Sequence, residues 1–277
     1  MFTINPFAEL SASISPAVMQ GYVILMIILV AGGTILDMIH KKSAKYFFEN
    51  AERAKKNAKR SVGGGEKVGL AVSTLASEVL TSSEFCNPKR RLSHLLTMYG
   101  FVFFALSTAV MIFGYTAPGS TTPTIWPLLW HLGALSLAVG GYWFWFFIRV
   151  DVSAEGLPWF RYERADLFIL SLLATSTFAL LWSLSGLSTF FFVLFVASST
   201  TLFGTVMISK FAHMFFKPAA AFQKKITVAD GSRENLPFDY DPADPEVQKR
   251  FPDVREYMGE KPPYMGHGIR REEPKHY

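Results

Sequence analysis

The stretch AVMQGYVILMIILVAGGTILDMIHKK, Ala17–Lys42, decides the class of this protein. From Ala17 to Ile39 it holds one charged residue, Asp37, and it ends abruptly on Lys41 and Lys42. About 20 apolar residues as helix cross about 30 Å of hydrocarbon. No basic residue precedes the run, so it lacks the form of a cleavable leader and reads as a retained first membrane helix. Four more runs follow: His94–Tyr115, Ile125–Ile148, Leu167–Leu187 and Thr189–Ile208. The connections alternate in charge. Residues 1–16, residues 116–124 and the turn around Gly186–Ser188 contain no Lys or Arg. The 27 basic residues fall in 40–93 (12), in 149–166 (3) and from Lys210 onward (12). Because basic loops are retained inside, the expectation is an all-α integral membrane protein, a five-helix transmembrane bundle with its N-terminus outside and C-terminus inside. An outer segment, 1–16, leads into a membrane domain, 17–216, which includes a cytoplasmic loop, 40–93. A cytoplasmic extended tail, 217–277, follows.

The net charge of +5 is not a nucleic-acid signal, because it comes mainly from residues 41–91, with 12 basic and 5 acidic side chains. Such a cluster beside a membrane helix attracts anionic lipid head groups. The single Cys86 excludes an internal disulfide framework and any CxxC metal or redox motif.

Loop 40–93 opens with HKKSAKYFFENAERAKKNAKR, where Tyr46, Phe47 and Phe48 beside a Lys/Arg face predict an amphipathic helix lying on the membrane surface. Gly63–Gly65 lacks the spacing of a phosphate-binding loop and reads as a hinge. Val68, Ala71, Val72, Leu75 and Val79 then recur at helical spacing and predict a second short surface helix. NPKRR, residues 87–91, reads as a turn leading into the second membrane helix. The tail carries seven prolines between Pro237 and Pro274 and few aliphatics, so it cannot build its own core. Its aromatics, among them Phe238, Tyr240, Phe251, Tyr257, Tyr264 and Tyr277, suggest a strap that orders against a partner protein. The plainer alternative is a disordered tail.

Histidines come first among residues that carry chemistry. His40, His94 and His213 lie near the inner boundary of the bundle, and His131 lies near the outer one. Two imidazoles at similar depth on facing helices can ligate a b-type haem. His94 and His213 meet that depth condition, whereas His131 has only Met111 at its level and otherwise suits a hydrogen bond to a quinone carbonyl. The alternative is that interfacial histidines simply accompany Lys and Arg at helix ends. In residues 140–166, Gly140 and Gly141 permit close helix approach or local distortion. Tyr142, Trp143, Trp145 and Trp159 form an aromatic belt. Arg149, Asp151, Glu155, Arg161, Glu163, Arg164 and Asp166 then mix both signs. That run reads as a fixed ion-pair network that braces two helices or docks a partner, or as a solvated loop. Asp37 is expected to pair with Lys41, four residues on. Serines and threonines of the fourth and fifth runs are expected to satisfy one another across helices. Paired acids, a metal-ligand cluster and a Ser/His/Asp arrangement are not apparent in the sequence.

KRRLSHLLTMYGFVFFALSTAVMIFGY (89–115) resembles the second helix of membrane subunits in quinone-interacting and heterodisulfide-reductase-type redox complexes. LWHLGALSLAVGGYWFWFFIRVDVSAEG (129–156) and the tail ending EEPKHY are similar to the AprM family of membrane anchors encoded beside adenylyl-sulfate (APS) reductase in sulfur-oxidising bacteria. The resemblance implies a multi-pass subunit of the bacterial inner membrane. It would hold the soluble flavin and iron–sulfur enzyme at the inner face, so that electrons from oxidising sulfite with AMP to APS reach the quinone pool. It would hold neither flavin nor cluster itself. The competing readings are a b-type haem, quinone-reactive electron-transfer subunit and a small transporter. The last is weakened by missing midplane charge and an odd number of non-repeated helices.

Overall fold

Capping residues and prolines set where the helices begin. The computed structural model describes residues 2–41, 43–83, 85, 87–117, 120–151, 156–209 and 213–234, with 245 and 249 as isolated positions. In chain order its α-helices are α1 (Pro6–Leu10), α2 (Pro16–Lys41), α3 (Ser43–Lys56), α4 (Gly64–Thr74), α5 (Pro88–Gly114), α6 (Ile125–Trp143), α7 (Leu167–Leu184), α8 (Thr189–Gly204) and α9 (His213–Ala229). Helix α4 continues as a π-turn over Leu75–Leu80 and α6 as another over Phe144–Ile148. No strand occurs among the described residues. The Asn87 side chain accepts the N–H groups of Lys89 and Arg90 at 2.9 and 3.3 Å, with Pro88 in the first helical turn. Its missing N–H leaves no bond unmade there. NPKRR is therefore the cap and first turn of α5 and not a turn ahead of it.

Among the described residues, four helices are long and apolar enough to cross a membrane: Pro16–His40, Pro88–Gly114, Ile125–Ile148 and Arg164–Leu184. This is a multi-pass membrane protein. Helix α8 is shorter, 16 residues, or about 24 Å at 1.5 Å per residue. The apolar run expected to continue to Ile208 leaves the helix after Gly204, and Ile208 and Ser209 turn back onto the Thr205 carbonyl.

Helices α5 and α6 pack antiparallel, and glycines set their separation. A Cβ on Gly133 would lie 2.6 Å from the Phe104 backbone nitrogen, and one on Gly100 would lie 2.7 Å from that of Leu137. At Gly140 it would meet Thr97 Oγ1 at 2.7 Å, and at Gly141 it would meet Leu173 at 2.7 Å on α7. The close approach expected at Gly140 and Gly141 is present, and Gly100 and Gly133 extend it. Backbones this near gain dispersion contacts that longer side chains would prevent. Ser93 Oγ also donates to the Gly140 carbonyl at 2.8 Å. Tyr22 on α2 reaches the Val196 carbonyl and Thr200 on α8 at 3.2 and 3.0 Å.

Most serines and threonines of α7 and α8 bond backward along their own helix, contrary to the expected cross-helix pairing. Ser171 donates to the Leu167 carbonyl, Thr175 to Ser171, Ser199 to Phe195 and Thr201 to Ala197, at 2.6–2.9 Å. A carbonyl one turn back is always in reach, whatever the neighbouring helix presents. Thr177 and Ser183 instead meet Tyr142 and His131 across helices, and Thr200 does both, donating back to Val196 and meeting Tyr22.

The end of the bundle remote from the basic loops is filled by aromatic rings. Phe7, on the short α1, packs edge-on to Trp130 at 5.9 Å and tilted against Trp182 at 5.6 Å. Asn5 caps α1 and donates to the Tyr115 carbonyl and Thr122. The segment expected to lie outside the membrane is thus partly built into the core through Asn5 and Phe7.

At the opposite end α3, α4 and α9 form a layer. Helix α3 is the expected amphipathic helix, and α4 with its π-turn is the second. Lys225 on α9 donates to Ser73 and Ser77 on the α4 segment at 3.1 and 2.8 Å. The N–H groups of Lys59 and Arg60 bond the Asp230 carbonyl. Arg60 makes a two-pronged bond to Glu66, which holds that carboxyl below the usual carboxylate range and raises the guanidinium. Asp37 is buried, 4% exposed. The Lys41 side chain expected to pair with it lies outside the described residues, as do Cys86 and tail residues 235–277 apart from Pro245 and Lys249.

Candidate functional site

The most elaborate polar arrangement lies where α6 ends. The π-turn Phe144–Ile148 widens the helix by one residue, so that the Arg149 N–H bonds the Phe144 carbonyl at 2.8 Å. Local widenings of this kind re-aim the side chains that follow them and recur at functional positions. Here Trp145 and Ile148 turn inward while Phe146 and Phe147 face out.

Arg149 is fully buried, at 0% exposure. An uncompensated buried cation is costly, and the loop answers every side of this one. Nη2 lies 2.5 Å from Asp166 Oδ2 and 2.7 Å from the Arg161 carbonyl. Nη1 donates to the carbonyls of Pro158 and Leu157 at 2.7 and 3.3 Å, and Nε reaches Asp166 Oδ1 at 3.4 Å. The guanidinium stands 4.3 Å over the Trp145 ring, and Tyr162 stacks on Trp145 at 6.0 Å. Asp166 also accepts the Glu163 N–H at 2.8 Å, closing a reciprocal cap at the start of α7. One guanidinium therefore ties the end of α6, the loop and the start of α7 together.

Of the two roles expected for this charged run, bracing accounts for Arg149 and Asp166. Arg149, expected among the docking residues, has no surface to offer a partner. Asp151, Arg161 and Arg164 are exposed, together with Trp159, Phe160 and Tyr162 at 53%, 63% and 64%. Glu155 lies outside the described residues, as do Phe238, Tyr240, Tyr257 and Tyr264.

His94 bonds Ser82 Oγ through Nδ1 at 3.0 Å and packs against the Phe85 ring at 4.8 Å. The same ring carries Arg90 at 5.5 Å and Lys217 of α9 at 5.2 Å. Phe85 therefore stands between His94 and α9. His213, described by its backbone only, opens α9 one turn before Lys217. The two histidines share one end of the bundle, with the Phe85 ring packed on His94 and lying under Lys217 of α9. His131 is buried with both ring nitrogens engaged, Nδ1 with the Pro127 carbonyl and Nε2 with Ser183 Oγ, each at 2.7 Å. Its partners join α6 to α7, and its geometry is that of a structural bridge. Among the described residues no group of three or more His, Cys, Asp or Glu could hold a metal ion.

The carbonyls of Leu157, Pro158 and Arg161 are the members of this site that sequence reading misses. Backbone acceptors carry no residue signature, and the π-turn that aims Arg149 at them leaves no periodic trace. Comparisons with protein-family models, with curated proteins and with solved structures give no match.

Proposed function

We propose that this chain is the membrane anchor subunit of a redox complex. It docks a soluble oxidoreductase, adenylyl-sulfate reductase by the sequence resemblance, on the cytoplasmic face of the bacterial inner membrane and brings it to the quinone pool. In this reading α8 with its following turn is a fifth crossing, and the basic end faces inward by the retention of Lys and Arg.

The observation that carries the proposal is the loop built on Arg149. A fully buried guanidinium with five hydrogen bonds fixes the backbone of 157–166, while Trp159, Phe160, Arg161, Tyr162 and Arg164 stand out from it. Aromatic residues and arginine on a preorganised backbone are the composition of protein-binding hot spots. Retaining orientation needs only a few mobile charges. The tail begins at the same end of the bundle, where aromatics such as Tyr257 and Tyr264 can reach a protein held over that loop.

The test uses membranes that contain the full chain and adenylyl-sulfate reductase. Replacing Arg161 and Arg164 together by Glu, or deleting residues 218–277, is expected to release the reductase on washing while the anchor stays inserted. Retention of the reductase by both variants sinks the proposal. The competing reading, an electron-transfer subunit with b-type haem on His94 and His213, has in its favour that His94 and the start of α9, where His213 sits, lie at one end of the bundle. A reduced-minus-oxidised visible spectrum of the purified chain separates the two: a haem band that vanishes in His94→Ala favours the cytochrome.

A further inference from the structure

Helix α4 and its π-turn present two unlike faces. One is polar and occupied: Thr74 is buried, and Ser73, Ser77 and Glu78 receive Lys225 from α9. The other is apolar and bare. Val68, Val72 and Leu75 are 64%, 60% and 54% exposed. At 100° per residue they fall with Val79 on one narrow stripe. Three large aliphatics in a row on water-facing helix would cost free energy roughly in proportion to their area.

The end of this segment is fixed against a membrane-crossing helix. Tyr99 Oη donates to the Leu80 carbonyl at 2.7 Å, Arg91 Nε donates to the Thr81 carbonyl at 2.7 Å, and Ser82 meets His94 at 3.0 Å. All three tethers come from the first turns of α5, whose exposed Leu92, Val102, Phe103 and Leu106 form the lipid-facing side of a membrane span. Leu80, itself 54% exposed, continues the bare stripe onto that side. Lys67 and Lys89 are exposed around it, placed as cations are around an in-plane helix whose apolar face is sunk among acyl chains.

We infer that the segment Gly64–Leu80 is an in-plane membrane helix: its Val68–Val72–Leu75 stripe inserts into the bilayer, and its polar face carries α9. The occupant of the bare face is lipid, because that face is continuous with the lipid-facing side of α5. The height of α9, and so of the tail's root, above the hydrocarbon is then set by how deeply α4 sits. This inference depends only on the chain being a membrane protein and stands apart from the redox proposal.

The test is spin-label accessibility in the full chain, with Cys86→Ser as background. A label at Val72→Cys is compared with one at Lys67→Cys, in vesicles of phosphatidylcholine with a minority of phosphatidylglycerol. The expected result is an oxygen-over-nickel-chelate collision ratio several-fold higher at 72 than at 67, unchanged when lipid is added to dilute the protein. Equal ratios at the two positions overturn the inference, because they leave the stripe in water until a soluble protein covers it. A high ratio at 72 that falls on dilution overturns it too, since a second copy would then be the cover. Val68→Cys and Leu75→Cys repeat the comparison, so that failure of one variant to fold does not end the test.

Discussion

Arg149 Nη2 and Asp166 Oδ2 lie 2.5 Å apart with Arg149 wholly buried, so the last turn of α6 and the first of α7 are joined by a single ion pair. Pairs of this kind have an asymmetric energetics. Removing one partner strands the other charge, while removing both trades desolvation against lost attraction.

Asp166→Ala is accordingly expected to destabilise the protein by about 3–5 kcal/mol. Arg149→Leu with Asp166→Leu should cost less than Asp166→Ala alone. Thermal unfolding in detergent measures both. A double variant as damaged as the single one would show that the carbonyls of Leu157, Pro158 and Arg161, and not the carboxylate, are what Arg149 chiefly serves.

Gly133→Ala places a methyl 2.6 Å from the Phe104 nitrogen. Backbone cannot move aside as a side-chain tip can, and overpacking of this kind costs about 1–3 kcal/mol. Gly114→Ala, with nothing within 4 Å of its Cβ, is the control expected to leave the melting temperature nearly unchanged.

His131→Ala removes the bridge between Pro127 and Ser183. Leaving the buried Ser183 hydroxyl short of its partner is expected to cost about 1–3 kcal/mol. The visible spectrum of the purified chain should not change with it. A lost absorption band with unaltered stability would return His131 to the cofactor ligands.

Glu66, held low by Arg60, supplies a pH dependence of known sign. The bond between them is present above the ordinary carboxylate range and is lost as pH falls through the lowered value. Carboxyl titration by NMR should find Glu66 below a free glutamate in the wild-type protein. Arg60→Ala should bring it back to the ordinary range.

Sequence reading reached the helical membrane class, the helicity of α3 and α4 and the Gly140–Gly141 approach, because each rests on local pattern. Apolar length, charge alternation and small-residue spacing survive without a third dimension. It did not reach the burial of Arg149, whose acceptors lie 8 to 17 residues further on, and it took the residue for part of a docking surface. Nor did it reach the engagement of both His131 nitrogens, which it left open to a quinone carbonyl, because depth is all that sequence supplies for a boundary histidine. The stop of α8 at Gly204 escaped it as well, since the residues beyond remain apolar.

The seating of α1 bears on the order in which the molecule is completed. Asn5 meets Tyr115 and Thr122, and Phe7 meets Trp130 and Trp182. None of these partners exists while the first ten residues are being synthesised. The contacts of this segment can therefore close only after α7 has been made. Docking of Asn5 and Phe7 is thus a late event, one that reports α5, α6 and α7 already gathered around them.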